Sequence, residues 1–215
     1  MKIQHIIFDF DGTLVDTGAL IVATIQSTTT ELGLPAKTET ESRSVIGLRL
    51  EEVAAVLWPE IPNMNQPFAD CYRRTFEQLK ATIPVTCFPG VLVTLQQLHA
   101  AGYGLAIASS RSHRSLAAYV EQFGMQDYFC QLIGGNDVEQ GKPAPDPVLA
   151  ILEEQQWLAE ETLVVGDMAV DIRMGLAAGT HTCGVTYGNG SRDELTVAGA
   201  TQVIDDFRIL PTLLQ

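Results

Sequence analysis

Ile3-Gln4-His5-Ile6-Ile7-Phe8-Asp9-Phe10-Asp11-Gly12-Thr13 is the stretch from which the rest of the chain is read. Ile3, Ile6, Ile7 and Phe8 have the composition of a buried strand. That strand runs directly into two carboxylates, Asp9 and Asp11, and stops at Gly12. Acids at the end of an apolar strand need a partner or a metal once water is excluded. A pair spaced one residue apart can simply cap a turn, as aspartates often do. It can also share a hard cation and leave one oxygen free to attack.

Composition narrows the setting. The 215 residues are 46% hydrophobic and 18% charged, which supports a sizeable core and argues against disorder. Lys and Arg number 13 against 26 acids, a formal charge of −13. This balance disfavours nucleic acid and anionic membrane surfaces as partners, and an anionic ligand would need a local cation to overcome it. Cys71, Cys87, Cys130 and Cys183 form no Cys-x-x-Cys pair and no zinc-like spacing with His. They read as reduced and mostly core, with Cys71 the more exposed. The apolar run at 3–8 is too short for a signal peptide, and no stretch of 18 apolar residues occurs, so a cytoplasmic protein is expected.

Beyond Gly12 the pattern changes. Segments 16–33, 38–46, 49–57 and 66–81 read as helices, so 14–84 is expected to be all-helical. From Pro89 helices and strands alternate: helices over 90–101, 112–123, 145–156 and 170–178, strands over 103–109, 129–133, 162–166, 181–186 and 202–204, then a closing helix. Such alternation predicts an α/β fold, a three-layer Rossmann-like parallel sheet interrupted by an inserted helical bundle. Right-handed crossovers then put every strand's carboxyl end on one edge.

Polar residues collect at those ends: Asp9 and Asp11, then Ser109 and Ser110 followed by Arg111, then Gly166 and Asp167, with Lys142 in the loop Gly141-Lys142-Pro143-Ala144-Pro145. Each has an ordinary explanation, as a helix cap, a turn acid or a solvated lysine. Together they deliver an acid pair, a hydroxyl, an ammonium and a third acid to one crevice.

In this order the residues resemble the four motifs of the haloacid dehalogenase superfamily, in its phosphatase branch: Asp9-Phe10-Asp11-Gly12-Thr13, Leu105-Ala106-Ile107-Ala108-Ser109, Lys142-Pro143 and Gly166-Asp167-Met168-Ala169-Val170-Asp171. The helical insertion resembles the family's C1-type cap, which divides the chain into a core of 1–14 and 85–215 and a cap of 15–84. Thr186-Tyr187-Gly188-Asn189-Gly190-Ser191-Arg192-Asp193-Glu194-Leu195 with Gly199-Ala200, and Val45-Ile46-Gly47-Leu48-Arg49-Leu50, are similar to phosphoglycolate phosphatase-like members.

The resemblance implies a mechanism. Asp9 attacks phosphorus and forms an aspartyl-phosphate that water hydrolyses. Mg²⁺ is held by the Asp9 carboxylate, the Asp11 main-chain carbonyl and Asp167. The Asp11 side chain acts as general acid and base, Lys142 and Ser109 steady the phosphoryl oxygens, and Asp171 orients Lys142 or a metal-bound water. Ser110 and Thr13 are further substrate contacts, and Arg49 is either a substrate gate or a solvated helix residue. The implied substrate is a small phosphorylated metabolite, 2-phosphoglycolate or similar, for a monomer or homodimer.

The rivals are separable. Family dehalogenases lack the second acid, which is present here as Asp11. Phosphosugar mutases resembling the chain usually carry a His where Ile21 stands. A phosphonate-cleaving enzyme would need a cap Lys as imine-forming amine, and Lys37 and Lys80 lack a recognisable setting. Inorganic pyrophosphate remains a possible substrate. A non-enzymatic Mg²⁺-binding phosphoacceptor module would not need an insertion of this size directly after the acid pair.

Overall fold

The structure, a computed structural model, describes residues 2–214. In chain order its regular elements are β1 (His5–Phe8), β2 (Val15–Asp16), α1 (Gly18–Glu31), α2 (Glu39–Ser44), α3 (Leu50–Leu57), α4 (Asn65–Leu79), β3 (Thr86–Cys87), α5 (Val91–Ala100), β4 (Gly104–Ala108), α6 (His113–Gln122), β5 (Gln131–Ile133), α7 (Asp146–Gln155), β6 (Thr162–Gly166), α8 (Ala169–Ala177), β7 (His181–Val185), α9 (Arg192–Val197), β8 (Gln202–Ile204) and α10 (Leu210–Leu213).

Six strands form one sheet in the order β5-β4-β1-β6-β7-β8, every neighbouring pair parallel. Successive strand residues point to opposite faces, and both faces are buried. Ile6 and Phe8 of β1, Leu105 and Ile107 of β4 and Leu163 and Val165 of β6 join one core, against α5, α6 and α10. Ile7, Ala106, Ala108 and Val164 face the other way, onto α7 and α8. The α/β class expected from the alternation is therefore present as three layers.

Register places the strand ends. Phe8 lies opposite Ile107 of β4 and Val165 of β6. The residues that follow the strands, Asp9, Ser109 and Asp167, leave the sheet side by side on its carboxyl edge. Sequence order reverses around β1, where open parallel sheets form their crevices.

Helices α1, α3 and α4 pack on one another around a separate cluster containing Ile25, Val53, Trp58 and Phe68. Trp58 is fully buried, and its indole N–H donates to the Pro35 carbonyl at 2.9 Å. The amphipathic face of α4 supplies Phe68, Thr75 and Phe76.

The expectation of helix throughout 14–84 fails at its first residues. Val15–Asp16 is a short strand, paired antiparallel with Thr86–Cys87. The cause is the tight loop after the acids. The Leu14 and Val15 N–H groups both donate to the Phe10 carbonyl, and Gly12 N–H donates to the Val15 carbonyl. Two residues are too few to show a strand's alternation. Ile3 also lies outside β1. Helix α9 was not expected, although Ser191 and Glu194 form a reciprocal capping box at its start.

The reading of Cys71 as the more exposed cysteine is overturned. Cys71 follows Phe68 by three residues and precedes Thr75 by four, which puts it on the inward face of α4, and it is buried. Cys130 is the exposed one. All four thiols are free. Among the described residues no helix is long and apolar enough to cross a membrane. Alkylation of the native protein, followed by peptide mass spectrometry, is expected to modify Cys130 and to spare Cys71 and Cys183 until denaturant is added.

Candidate active site

The loop after β1 turns on Gly12, whose φ is +91°. A side chain there would be strained, and its Cβ would lie 2.2 Å from Asp167 Oδ2. Gly188, in the loop after β7, makes an equally close approach, with a would-be Cβ 2.4 Å from the same oxygen. Glycine at both positions lets two loops close directly on the Asp167 carboxylate.

Asp9, Asp167 and Asp171 form a buried cluster whose ligand oxygens lie within 4.8 Å of one another. Lys142 Nζ, itself 3% exposed as a residue, reaches in and donates to Asp9 Oδ1 at 2.5 Å and to Asp171 Oδ1 at 2.7 Å. Asp171 Oδ2 accepts from the Met168 N–H in the first turn of α8. Asp167 Oδ2 accepts from both the main-chain and side-chain N–H groups of Asn189, and Oδ1 from the Thr13 hydroxyl at 3.3 Å. Asp9 Oδ2 has no hydrogen-bond partner among the described residues.

Three acids against one ammonium leave this pocket with excess negative charge in a dry setting. Burial pushes the Asp9 carboxyl well above its ordinary range, with Lys142 opposing the rise and Asp171 and Asp167 adding to it. Burial, then repulsion from Asp171, pushes Asp167 up to about 7 against the Asn189 hydrogen bonds. For Lys142 burial works against the ammonium, but the Asp171 and Asp9 carboxylates outweigh it and raise its pKa. A hard divalent cation with oxygen ligands fits this donor set, because it would offset the charge that burial penalises.

The Asp11 side chain belongs to a second group. Its Oδ1 accepts from the Thr17 hydroxyl at 2.7 Å and from Arg111 Nη2 at 2.5 Å, and its Oδ2 accepts from Arg111 Nε at 3.1 Å. Arg111 is the residue that sequence reasoning passed over. Its guanidinium lies 4.8 Å from the Tyr119 ring centroid and 5.3 Å from that of Phe76. No local motif announces a pair separated by 100 positions. Asn189 was also missed as a partner of Asp167, although it sits within the quoted Tyr-Gly-Asn-Gly run.

Both groups border a crevice of about 1020 Å³. Asp9, Asp11, Ser109, Ser110, Arg111 and Arg49 all line it. Ser109 Oγ accepts from the Arg111 main-chain N–H at 3.2 Å. Thr13, named above as a substrate contact, is fully buried, and its hydroxyl is engaged by Asp167. Ser110 donates its hydroxyl to the Gly47 carbonyl at 2.6 Å. Arg49, read above as either a substrate gate or a solvated helix residue, directs both terminal nitrogens onto the Val138 and Glu139 carbonyls at 2.7 Å. Lys37 and Lys80 are each taken up in ion pairs, with Glu41 and Glu77.

A family model described as haloacid dehalogenase-like hydrolase matches residues 6–185. A protein named probable phosphatase IndB from Dickeya dadantii is 33% identical, covering 94% of this chain and 89% of its own. A phosphoglycolate phosphatase from Vibrio cholerae is 29% identical, covering 97% of this chain and 96% of its own. A crystal structure from Haemophilus somnus, described as a predicted phosphoglycolate phosphatase, superposes with a TM-score of 0.90 at 23% identity, covering 100% of this chain and 99% of that one. With this match over most of its length, the chain belongs to the haloacid dehalogenase-like hydrolases.

Proposed function

We propose that the chain is a Mg²⁺-dependent phosphatase acting on a small phosphorylated metabolite of the 2-phosphoglycolate kind, through an aspartyl-phosphate on Asp9. The observation that carries this reading is a free Asp9 oxygen beside a buried Lys142 in a cluster of three buried carboxylates. Phosphatases among the relatives, including a phosphoglycolate phosphatase, support the substrate class.

Asp9 Oδ2 attacks phosphorus while the bond to the leaving oxygen breaks. Lys142 holds the other Asp9 oxygen in place and offsets charge on the phosphoryl group. Ser109 and the main-chain N–H groups beside it hold the outer oxygens. Asp11 hands a proton to the leaving oxygen, then takes one from the water that opens the acyl phosphate. To do so it gives up a bond, and the 3.1 Å contact from Arg111 Nε to Oδ2 is the longest of its three. Mg²⁺ would be held by the carboxylates of Asp9 and Asp167 and the Asp11 main-chain carbonyl, and would supply positive charge that lets a phosphate approach a carboxylate. Asp171 orients Lys142.

Residues 15–84 act as a cap over this crevice, on a core of 1–14 and 85–215. Contacts of Ser110 with Gly47, Arg49 with Val138 and Glu139, and Arg43 with Asn189 hold it against the core loops. Opening it admits substrate, and closing it excludes water.

Asp9→Asn is expected to abolish turnover of p-nitrophenyl phosphate with Mg²⁺ while the melting temperature shows an intact fold; near-normal activity would reject Asp9 as nucleophile. Lys142→Ala is expected to lower kcat on the order of 10²–10³-fold, as for loss of one preorganised donor; a loss below tenfold would make it structural only. Asn189→Ala removes the side-chain donor from Asp167 and leaves the main-chain one, so calorimetric titration is expected to show Mg²⁺ binding weakened about tenfold, the low end of the range for partners of metal ligands. Unchanged affinity would separate Asn189 from the metal site.

A further inference from the structure

We propose that Arg111 is the specificity-determining residue of the crevice, selecting phosphate monoesters whose leaving group carries a second negative charge. This rests on the phosphatase reading and adds to it the residue that reads the substrate's far end.

The argument starts from which cations are available. Five of the chain's 13 Lys and Arg side chains line the crevice, at positions 49, 73, 80, 111 and 114. Arg49 has both terminal nitrogens on main-chain carbonyls, and its stem lies against Gly141. Arg73 and Lys80 are about half exposed and paired with acids at the rim. Arg114 is exposed. Arg111, its side chain only 9% exposed, is the one of these five that meets Asp11.

Asp11 is the group assigned to the leaving oxygen. Whatever is attached to that oxygen by one or two carbons therefore lies within reach of the guanidinium touching Asp11. Arginine carries five N–H donors in a rigid fork. Three are in use here: Nε and Nη2 toward Asp11, and Nη1 toward Ser115. One N–H on each terminal nitrogen remains to donate to a carboxylate. The rings of Tyr119, Phe76 and Phe10 pack around the guanidinium and hold its plane, so little ordering is left to be done on binding.

The test compares 2-phosphoglycolate with 2-hydroxyethyl phosphate, which has CH₂OH in place of the carboxylate and an otherwise similar leaving alcohol. In the wild-type protein with Mg²⁺, kcat/KM is expected to favour the carboxylate ester on the order of 10²-fold, the scale set by leaving a charged fork unpaired. Arg111→Met should reduce that preference to about threefold or less, whatever it does to the absolute rates through Asp11. Arg111→Lys keeps a charge without the fork and should retain an intermediate preference of about tenfold, which keeps the test open if the methionine variant misfolds. A wild-type protein that turns over both esters equally, or a variant that lowers both while leaving their ratio unchanged, overturns the proposal and leaves the phosphatase reading standing. Absence of turnover with p-nitrophenyl phosphate as well would overturn both.

Discussion

One ammonium held between two buried carboxylates organises this molecule. Lys142 Nζ joins Asp9 at the end of β1 to Asp171 in the first turn of α8. Breaking such a buried pair from one side is costly, on the order of 3–5 kcal/mol, because an uncompensated charge stays behind. Three segments distant in sequence are therefore locked in mutual position by charge, and Asp171 passes the constraint on by accepting the Met168 N–H. The sheet below supplies the rigidity this needs, since the registers of β1 with β4 and β6 bring the chain ends level before any loop begins.

Chemically identical side chains acquire different surroundings. Asp9 and Asp11 sit two positions apart, yet each answers to its own cation, Lys142 on one side and Arg111 on the other. The first lies in a deep pocket crowded with like charge, and the second faces the crevice beside aromatic rings. The proposed division of nucleophilic and acid–base work rests on this difference in partners.

The fold was legible because its strands are apolar runs separated by helical periods, and the class follows from that alternation. The acids, Ser109 and Lys142 were visible because they end or follow apolar strands in short linear motifs. What escaped has physical reasons. The ribbon of β2 and β3 is too short to carry a period. Arg111 finds Asp11 100 positions away, and Asn189 finds Asp167 through a glycine-bounded loop, contacts that only the folded chain creates. Arg49 showed a cation in a suggestive run but not the two carbonyls that occupy it, and Cys71 lay on the buried face of a helix whose phase the sequence left open.

The ribbon has one more consequence. The helical stretch leaves the sheet at Val15–Asp16 and returns at Thr86–Cys87, and the two passages are hydrogen-bonded to each other. Its ends are thus pinned side by side whatever lies between them. Loop-closure entropy rises only about 0.6 kcal/mol for each doubling of length. Longer or shorter sequences could be spliced at this neck with little loop-closure cost, making it a natural grafting point that leaves the strand ends of the parallel sheet where they are.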